Sequence, residues 1–274
     1  MSDNLNPQRE QMADESMVRN LSAQAVAIWP GESEYIRGYA LAPDASVLDV
    51  GCGTGEFVRR IGEFLPASKL IGVDVIESHL EIARENCRSL GDRATFQTGD
   101  AFALEFEDAR FDLTVNRHML QSIPKPETVV AELLRVTKPG GRLHLLAEDY
   151  AMIHFHPVDG DSDRFWQRGP IRFGQAVGTD LRIGRRVFTI LKRLGLEAID
   201  VHYVLIDTLR VPRDTFIRIW EAWRDGFAET IAKHTEFSLE EVDAYWNAMI
   251  DCLRDPEGYA VWHVPVITGV KPQG

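Results

Sequence analysis

The strongest chemical signal in the chain is a run of alternating glycines flanked by acids. Gly51, Gly53 and Gly55 follow directly on the apolar run 47–50, and Val58, Ile61 and Leu65 then recur at helical spacing. Glycines between a strand and a helix let a ligand approach the backbone closely, although they could equally serve a bare tight turn. A dinucleotide fingerprint needs G-x-G-x-x-G, with an acidic residue about twenty positions further on. Here the third glycine comes one position early, and Glu56 stands where the fingerprint wants glycine. Asp49 precedes the loop. A carboxylate at the start of a helix disfavours a bound pyrophosphate. A P-loop is excluded because no Lys-Ser/Thr pair follows. The loop therefore suits a cofactor with positive charge and no phosphate.

Other candidates follow the apolar runs downstream. Asp74 ends "IGVD" and Asp100 sits in "TGDA"; both also read as helix N-caps. "NRHMLQSIP" carries His118, whose side-chain type titrates near neutrality and suits a general base. Alternatively, His118 packs beside a cofactor or caps the next turn. Its neighbour Arg117 would anchor an anionic acceptor or pair with the surrounding acids. "AEDYAMIHFHP" brings Glu148, Asp149, Tyr150, His154 and His156 to a comparable position, as pocket lining or as plain loop. His154-x-His156 lacks a third ligand fixed by sequence, so no metal is expected. His79, His144, His202, His234 and His263 read as structural or surface residues.

The elements that must hold these residues alternate. Short apolar runs separated by amphipathic stretches from about 45 to 150 imply parallel strands with crossover helices. "KPGG" is expected to end the helix marked by Val129, Leu133 and Val136. Residues 10–40 read as helical with a break at Trp-Pro-Gly, 29–31, and residues 150–183 as loop with partial helix. Two helices at about 212–254 stand between the last two strands. "SLEE" at 238–241 matches a capping box. Their stripes, Phe216 to Ile231 and Val242 to Leu253, read first as core and second as a lid over an acceptor pocket.

S-adenosylmethionine meets the loop's chemical demand, carrying a sulfonium, an ammonium, a single carboxylate and no phosphate. "VLDVGCGTGEF" moreover resembles the first motif of the class I S-adenosylmethionine-dependent methyltransferases. "IGVDV", "TGDA", "FDLTVN" and "ELLRVTKPGGRLHL" are similar to that family's later landmarks, in order. The resemblance is strong over about 40–150 and weak beyond. It implies a Rossmann-like α/β sheet of seven mostly parallel strands, the last antiparallel and inserted beside the fifth and sixth. Pro265 should then lie at the start of that strand. It also implies a cofactor site of Asp49, Gly51, Gly53, Gly55, Asp74, Val75, Asp100, Ala101 and Asn116. Asp74 would hold the ribose hydroxyls, Asp100 the adenine amino group, the Ala101 N–H the ring, and the Asn116 carbonyl the methionine ammonium.

Composition narrows the partners. A formal charge of −12 and no long Lys/Arg cluster demote nucleic acid. Three scattered cysteines form neither a disulfide framework nor a metal spacing and fit a reducing compartment. No apolar run is long enough for a membrane span and no leader-like segment is evident, so a cytoplasmic protein is expected. The expected organisation is a single methyltransferase domain, 1–274: a helical cap at 1–40, a core at 41–211, an insertion at 212–257 and a last strand at 258–274. The expected activity is methyl transfer to oxygen or nitrogen of a small-molecule acceptor, with His118 as base. Carbon acceptors, a protein or peptide acceptor, an inert S-adenosylmethionine-binding protein and a nicotinamide oxidoreductase stand as alternatives. The oligomeric state is left open.

Overall fold

The structure is a computed structural model that describes residues 5–273. Residues 1–4 of the expected cap and residue 274 lie outside it. Helices α1 (Arg9–Ala13) and α2 (Glu15–Gly38) lead into β1 (Ser46–Val50). Then come α3 (Glu56–Phe64), β2 (Lys69–Asp74), α4 (Glu77–Asn86), β3 (Ala94–Thr98), β4 (Phe111–Arg117), α5 (Pro126–Val136) and β5 (Thr137–Leu146). The less regular half holds β6 (Ile153–His156), α6 (Ser162–Arg168), α7 (Pro170–Val177), α8 (Gly184–Arg193) and β7 (Glu197–Asp207). It ends with α9 (Arg213–His234), α10 (Leu239–Arg254) and β8 (Tyr259–Val270).

One sheet runs β3-β2-β1-β4-β5-β8, with β7 on the far side of β8. β1 to β5 pair in parallel, and β8 is antiparallel to β5, β6 and β7. The chain builds outward from β1 in one direction and then returns to build in the other. The crevice at the carboxyl ends beside β1 is therefore a topological switch point, where ligands bind in such sheets. α3 buries Phe57, Val58 and Ile61 on one face, and α5 and α8 bury Val129, Leu133, Val187 and Leu191 on the other. A third cluster joins α2, α9 and α10 to β8 through Trp220, Trp246 and Trp262.

Several expectations are corrected. The sheet has eight strands among the described residues, not seven. The additional one, β6, comes from the stretch read as loop and pairs with β8 in line beyond the end of β5. Pro265 lies in the middle of β8, opposite Tyr203, rather than at its start. Its carbonyl accepts from Ala147, so its missing N–H faces the gap between β5 and β6, where no ladder bond is lost. Pro30 does not break α2, which runs through it. The bond Pro30 cannot make is to the carbonyl of Val26, on a side that is 46% exposed and open to water. "KPGG" forms the irregular start of β5. Residues 150–183 hold β6, α6 and α7. The capping box at α10 forms, with Ser238 Oγ accepting from the Glu241 N–H and Glu241 Oε2 from the Ser238 N–H.

Candidate functional site

The glycine loop leaves β1 in a left-handed conformation. Gly51 has φ 74°, and its N–H donates to Val73 O at 2.7 Å, which ties the loop to β2. A Cβ there would come within 2.8 Å of Met119 Sδ. Gly55 has φ 75°, but a Cβ on it would meet the Ala83 Cβ at 2.9 Å. Its smallness serves the packing of α3 on α4.

Above the loop lies a cavity of about 290 Å³, near the lower end of the range for small-molecule sites. Gly51, Gly53, Asp74, Val75, Asp100 and Ala101 line it at the sheet edge, together with His118. Asp49, Gly55 and Asn116 do not. Asp49 faces a smaller adjoining pocket. Asn116 lies in the ladder between β1 and β5, its Nδ2 donating to Val50 O at 2.7 Å. The Asp74 carboxylate accepts from Gly53 N–H at 2.8 Å and Ile76 N–H at 3.0 Å. A carboxylate has about four lone-pair sites, so roughly two remain for hydroxyl donors. Asp100 accepts from Phe102 N–H at 2.9 Å. Asp74's spare acceptors, on the cavity lining, fit the ribose end of S-adenosylmethionine. His79 of α4, read from sequence as structural, also lines the cavity; it is buried and its Nε2 has no partner.

The opposite wall is helical. Met12, Phe173, Trp223, Phe227, Ile231 and Trp246 face the cavity. The aromatic stripes of α9 and α10 therefore act both as core and as pocket wall. The contribution from residues 5–12 was invisible in the sequence, which has no motif there. His154 and His156 point to the exposed side of β6, away from the cavity. No group of three or more His, Cys, Asp or Glu able to hold a metal occurs among the described residues.

His118 lines the cavity directly after the end of β4. Its Nδ1 lies 2.5 Å from Glu148 Oε1, and its Nε2 is buried without a partner. Glu148 is fully buried and also accepts from Trp262 Nε1 at 3.1 Å. Sequence placed Glu148 near the site but gave it no partner. Asp149 is held instead by Arg185 at 2.6 Å.

Behind the loop is a buried ionic network. Glu32 accepts from Arg117 Nε at 2.8 Å and meets His144 Nε2 at 3.0 Å, while Tyr39 Oη lies 2.7 Å from His144 Nδ1. Arg117 is thus an ion-pair partner. Burial opposes the Glu32 charge, yet Arg117 and His144 hold its pKa down to about 2. Asp49 is pushed up to about 7, first by burial and then by the charges of Glu32 and Asp74 against the relief from Arg117. Glu56 lies 3.4 Å from both Arg59 and Arg60. The acids flanking the loop therefore carry less net charge than their types suggest.

The Asp49 shift has a measurable sign. The folded protein holds this proton where an unfolded Asp has already released it. Stability thus falls as pH rises from about 4 to about 7. Asp49→Asn removes this loss, so its stability relative to the wild type should grow across that window in urea unfolding. A constant difference would refute the assignment.

Residues 47–141 match the family model described as a methyltransferase domain. A demethylmenaquinone methyltransferase of Lactococcus lactis is 39% identical over 36% of this chain and 40% of its own length. A sterol 4-C-methyltransferase of Caenorhabditis elegans is 31% identical over 46% of this chain and 37% of its own. The chain thus spans about two fifths of the length of these curated relatives. Among solved structures, the [4+2]-cyclase SpnF aligns with a TM-score of 0.57 at 23% identity, over 89% of this chain and 81% of that one. A Haemonchus contortus phosphoethanolamine N-methyltransferase solved with S-adenosyl-L-methionine gives 0.58 at 19%, over 96% and 60%. At those identities the structures show the shared fold.

Proposed function

We propose, for a chain that belongs to the class I S-adenosylmethionine-dependent methyltransferases, methyl transfer to an oxygen or nitrogen of a small, largely apolar acceptor. The observation that carries this reading is the division of one cavity. Its sheet edge offers Asp74, Asp100 and the glycine loop to the cofactor, its helical wall offers aromatics to an acceptor, and His118, just past the end of β4, lines the same cavity. When bound, the cofactor supplies a methyl group on a sulfonium, already a good leaving group. The protein's part is to align the acceptor, exclude water and take a proton.

The lining also argues for an uncharged acceptor. Its cations among the described residues are Arg9 and Arg117, and Glu32 binds the latter. The phosphomonomethylethanolamine bound to the Haemonchus enzyme carries a phosphate, for which this wall has no clamp of buried cations. We further infer that 1–274 works as one domain, with the helices at 212–257 closing the acceptor side. A cytoplasmic location accords with three free, buried cysteines; no helix among the described residues is long and apolar enough to cross a membrane.

The test is incubation with methyl-labelled S-adenosylmethionine and metabolite extracts, followed by mass spectrometry. Label should appear in organic-extractable small molecules. Label in polypeptide would favour the protein-acceptor alternative, and cofactor binding with no labelled product would favour an inert binder. With the acceptor in hand, His118→Ala should lower turnover about 10²–10⁴-fold. Near-normal turnover across pH would exclude an essential base.

A further inference from the structure

We propose that His118 and Glu148 form a proton-accepting dyad for a hydroxyl-bearing acceptor, with Glu148 as the positioning residue and Trp262 fixing Glu148. This inference rests on the methyl-transfer reading and names the chemical class of its acceptor.

Two side chains from just past the ends of β4 and β5 converge here with one from within β8. Glu148 Oε1 meets His118 Nδ1 at 2.5 Å, and Oε2 accepts from Trp262 Nε1 at 3.1 Å. Glu148 and Trp262 are fully buried and His118 is 9% exposed. An ionised carboxylate only accepts hydrogen bonds, so the ring proton of a neutral His118 must sit on Nδ1. Nε2 is then the lone-pair nitrogen, and it is the one without a protein partner. The backbone is strained into the same arrangement. His118 has φ 54°, a sparsely populated region for a residue with a side chain, which recurs at functional sites. It is held there by its N–H to Leu146 O at 2.9 Å and by Gln121 Nε2 donating to its carbonyl at 2.6 Å.

Tyr150 and the cofactor-end carboxylates are poorer proton acceptors. Burial, then the charge of Glu148, push the Tyr150 hydroxyl well above its ordinary range, so it keeps its proton at neutral pH. Asp74 and Asp100 belong to the cofactor end, where backbone N–H groups already occupy part of each carboxylate.

The acceptor O–H gives its proton to Nε2. The oxygen lone pair takes the methyl carbon as the carbon–sulfur bond breaks, its electron pair going to sulfur. Glu148 faces the imidazolium so formed, and the proton leaves to water after the product. Such a dyad suits an acceptor that must lose a proton, a hydroxyl, and offers nothing to a tertiary amine or thioether.

Glu148→Gln provides the test, because it leaves one oxygen for two N–H donors. If Trp262 keeps that oxygen, the amide NH₂ faces Nδ1 and the ring proton must move to Nε2. Long-range ¹H–¹⁵N NMR of the protein saturated with S-adenosylhomocysteine should show the Nδ1-protonated tautomer in the wild type. Glu148→Gln should lose it, and adding Trp262→Phe should restore it by freeing the oxygen. A wild type protonated on Nε2, or an unchanged tautomer in Glu148→Gln, would overturn the dyad alone. Failure of S-adenosylhomocysteine to bind the wild type would overturn the methyl-transfer reading and the dyad with it.

Discussion

Replacing Asp74 by alanine is expected to weaken S-adenosylmethionine binding about 10²–10⁴-fold. The carboxylate is held at the end of β2 by the Gly53 and Ile76 N–H groups, at 2.8 and 3.0 Å. In the proposed role its remaining lone pairs take two ribose hydroxyls. Hydrogen bonds to a charged partner are worth about 1.5–3 kcal/mol each. Losing two therefore costs about 3–6 kcal/mol, which is the stated range of affinity. The substitution also releases Gly53, and with it one restraint on the glycine loop. Asp74→Asn keeps one acceptor oxygen and should fall between wild type and alanine. Calorimetry on folded variants reads both. An alanine variant that binds as the wild type does would remove Asp74 from the site.

The second large effect concerns stability. Glu32→Ala should destabilise the fold by about 3–5 kcal/mol, because it strands the largely buried Arg117 charge and removes the partner of His144 Nε2. Three elements lose their common contact: α2 carries Glu32, β4 carries Arg117 and β5 carries His144. The effect is pH-dependent with a definite sign. The folded pKa of about 2 lies below the ordinary value of 4.5. The Glu32 contribution is thus complete above about 4.5 and is lost as pH falls toward 2. Glu32→Gln, which lacks that titration, should approach the wild type as pH drops from 4.5 to 3 in urea unfolding. A gap that stays constant would show that the charge is not the source. Because the Glu32 charge also raises the Asp49 pKa, the Glu32 and Asp49 substitutions should not be additive.

The parts legible in the sequence were those encoded locally. The glycine loop, Asp74 and Asp100 each stand at or just past the end of a short strand, and parallel strands bring such positions to one edge whatever the rest of the chain does. The capping box at α10 was legible for the same reason. What escaped depends on distant residues. Glu148 is 30 positions from His118 and 114 from Trp262, so nothing in local spacing marks the three as one unit. Pro265 sits mid-strand because β5 gives way to β6 there, which only the pairing of three strands reveals. Pro30 runs through α2 because the bond it forfeits faces water. Asn116 and Gly55 belong to matched motifs, and the structure adds that one sits in the strand ladder and the other in helix packing. The loop's acids were read from residue type alone, whereas Arg59, Arg60 and burial moderate the charge of Glu56 and Asp49.

The glycine loop with Asp74 and Asp100 suits a phosphate-free cofactor, S-adenosylmethionine, rather than a dinucleotide. Parallel calorimetric titrations of the protein with S-adenosylmethionine and with NADH test it most directly. Saturable binding of S-adenosylmethionine with no binding of NADH is the expected result. Saturable binding of NADH with none of S-adenosylmethionine would contradict it.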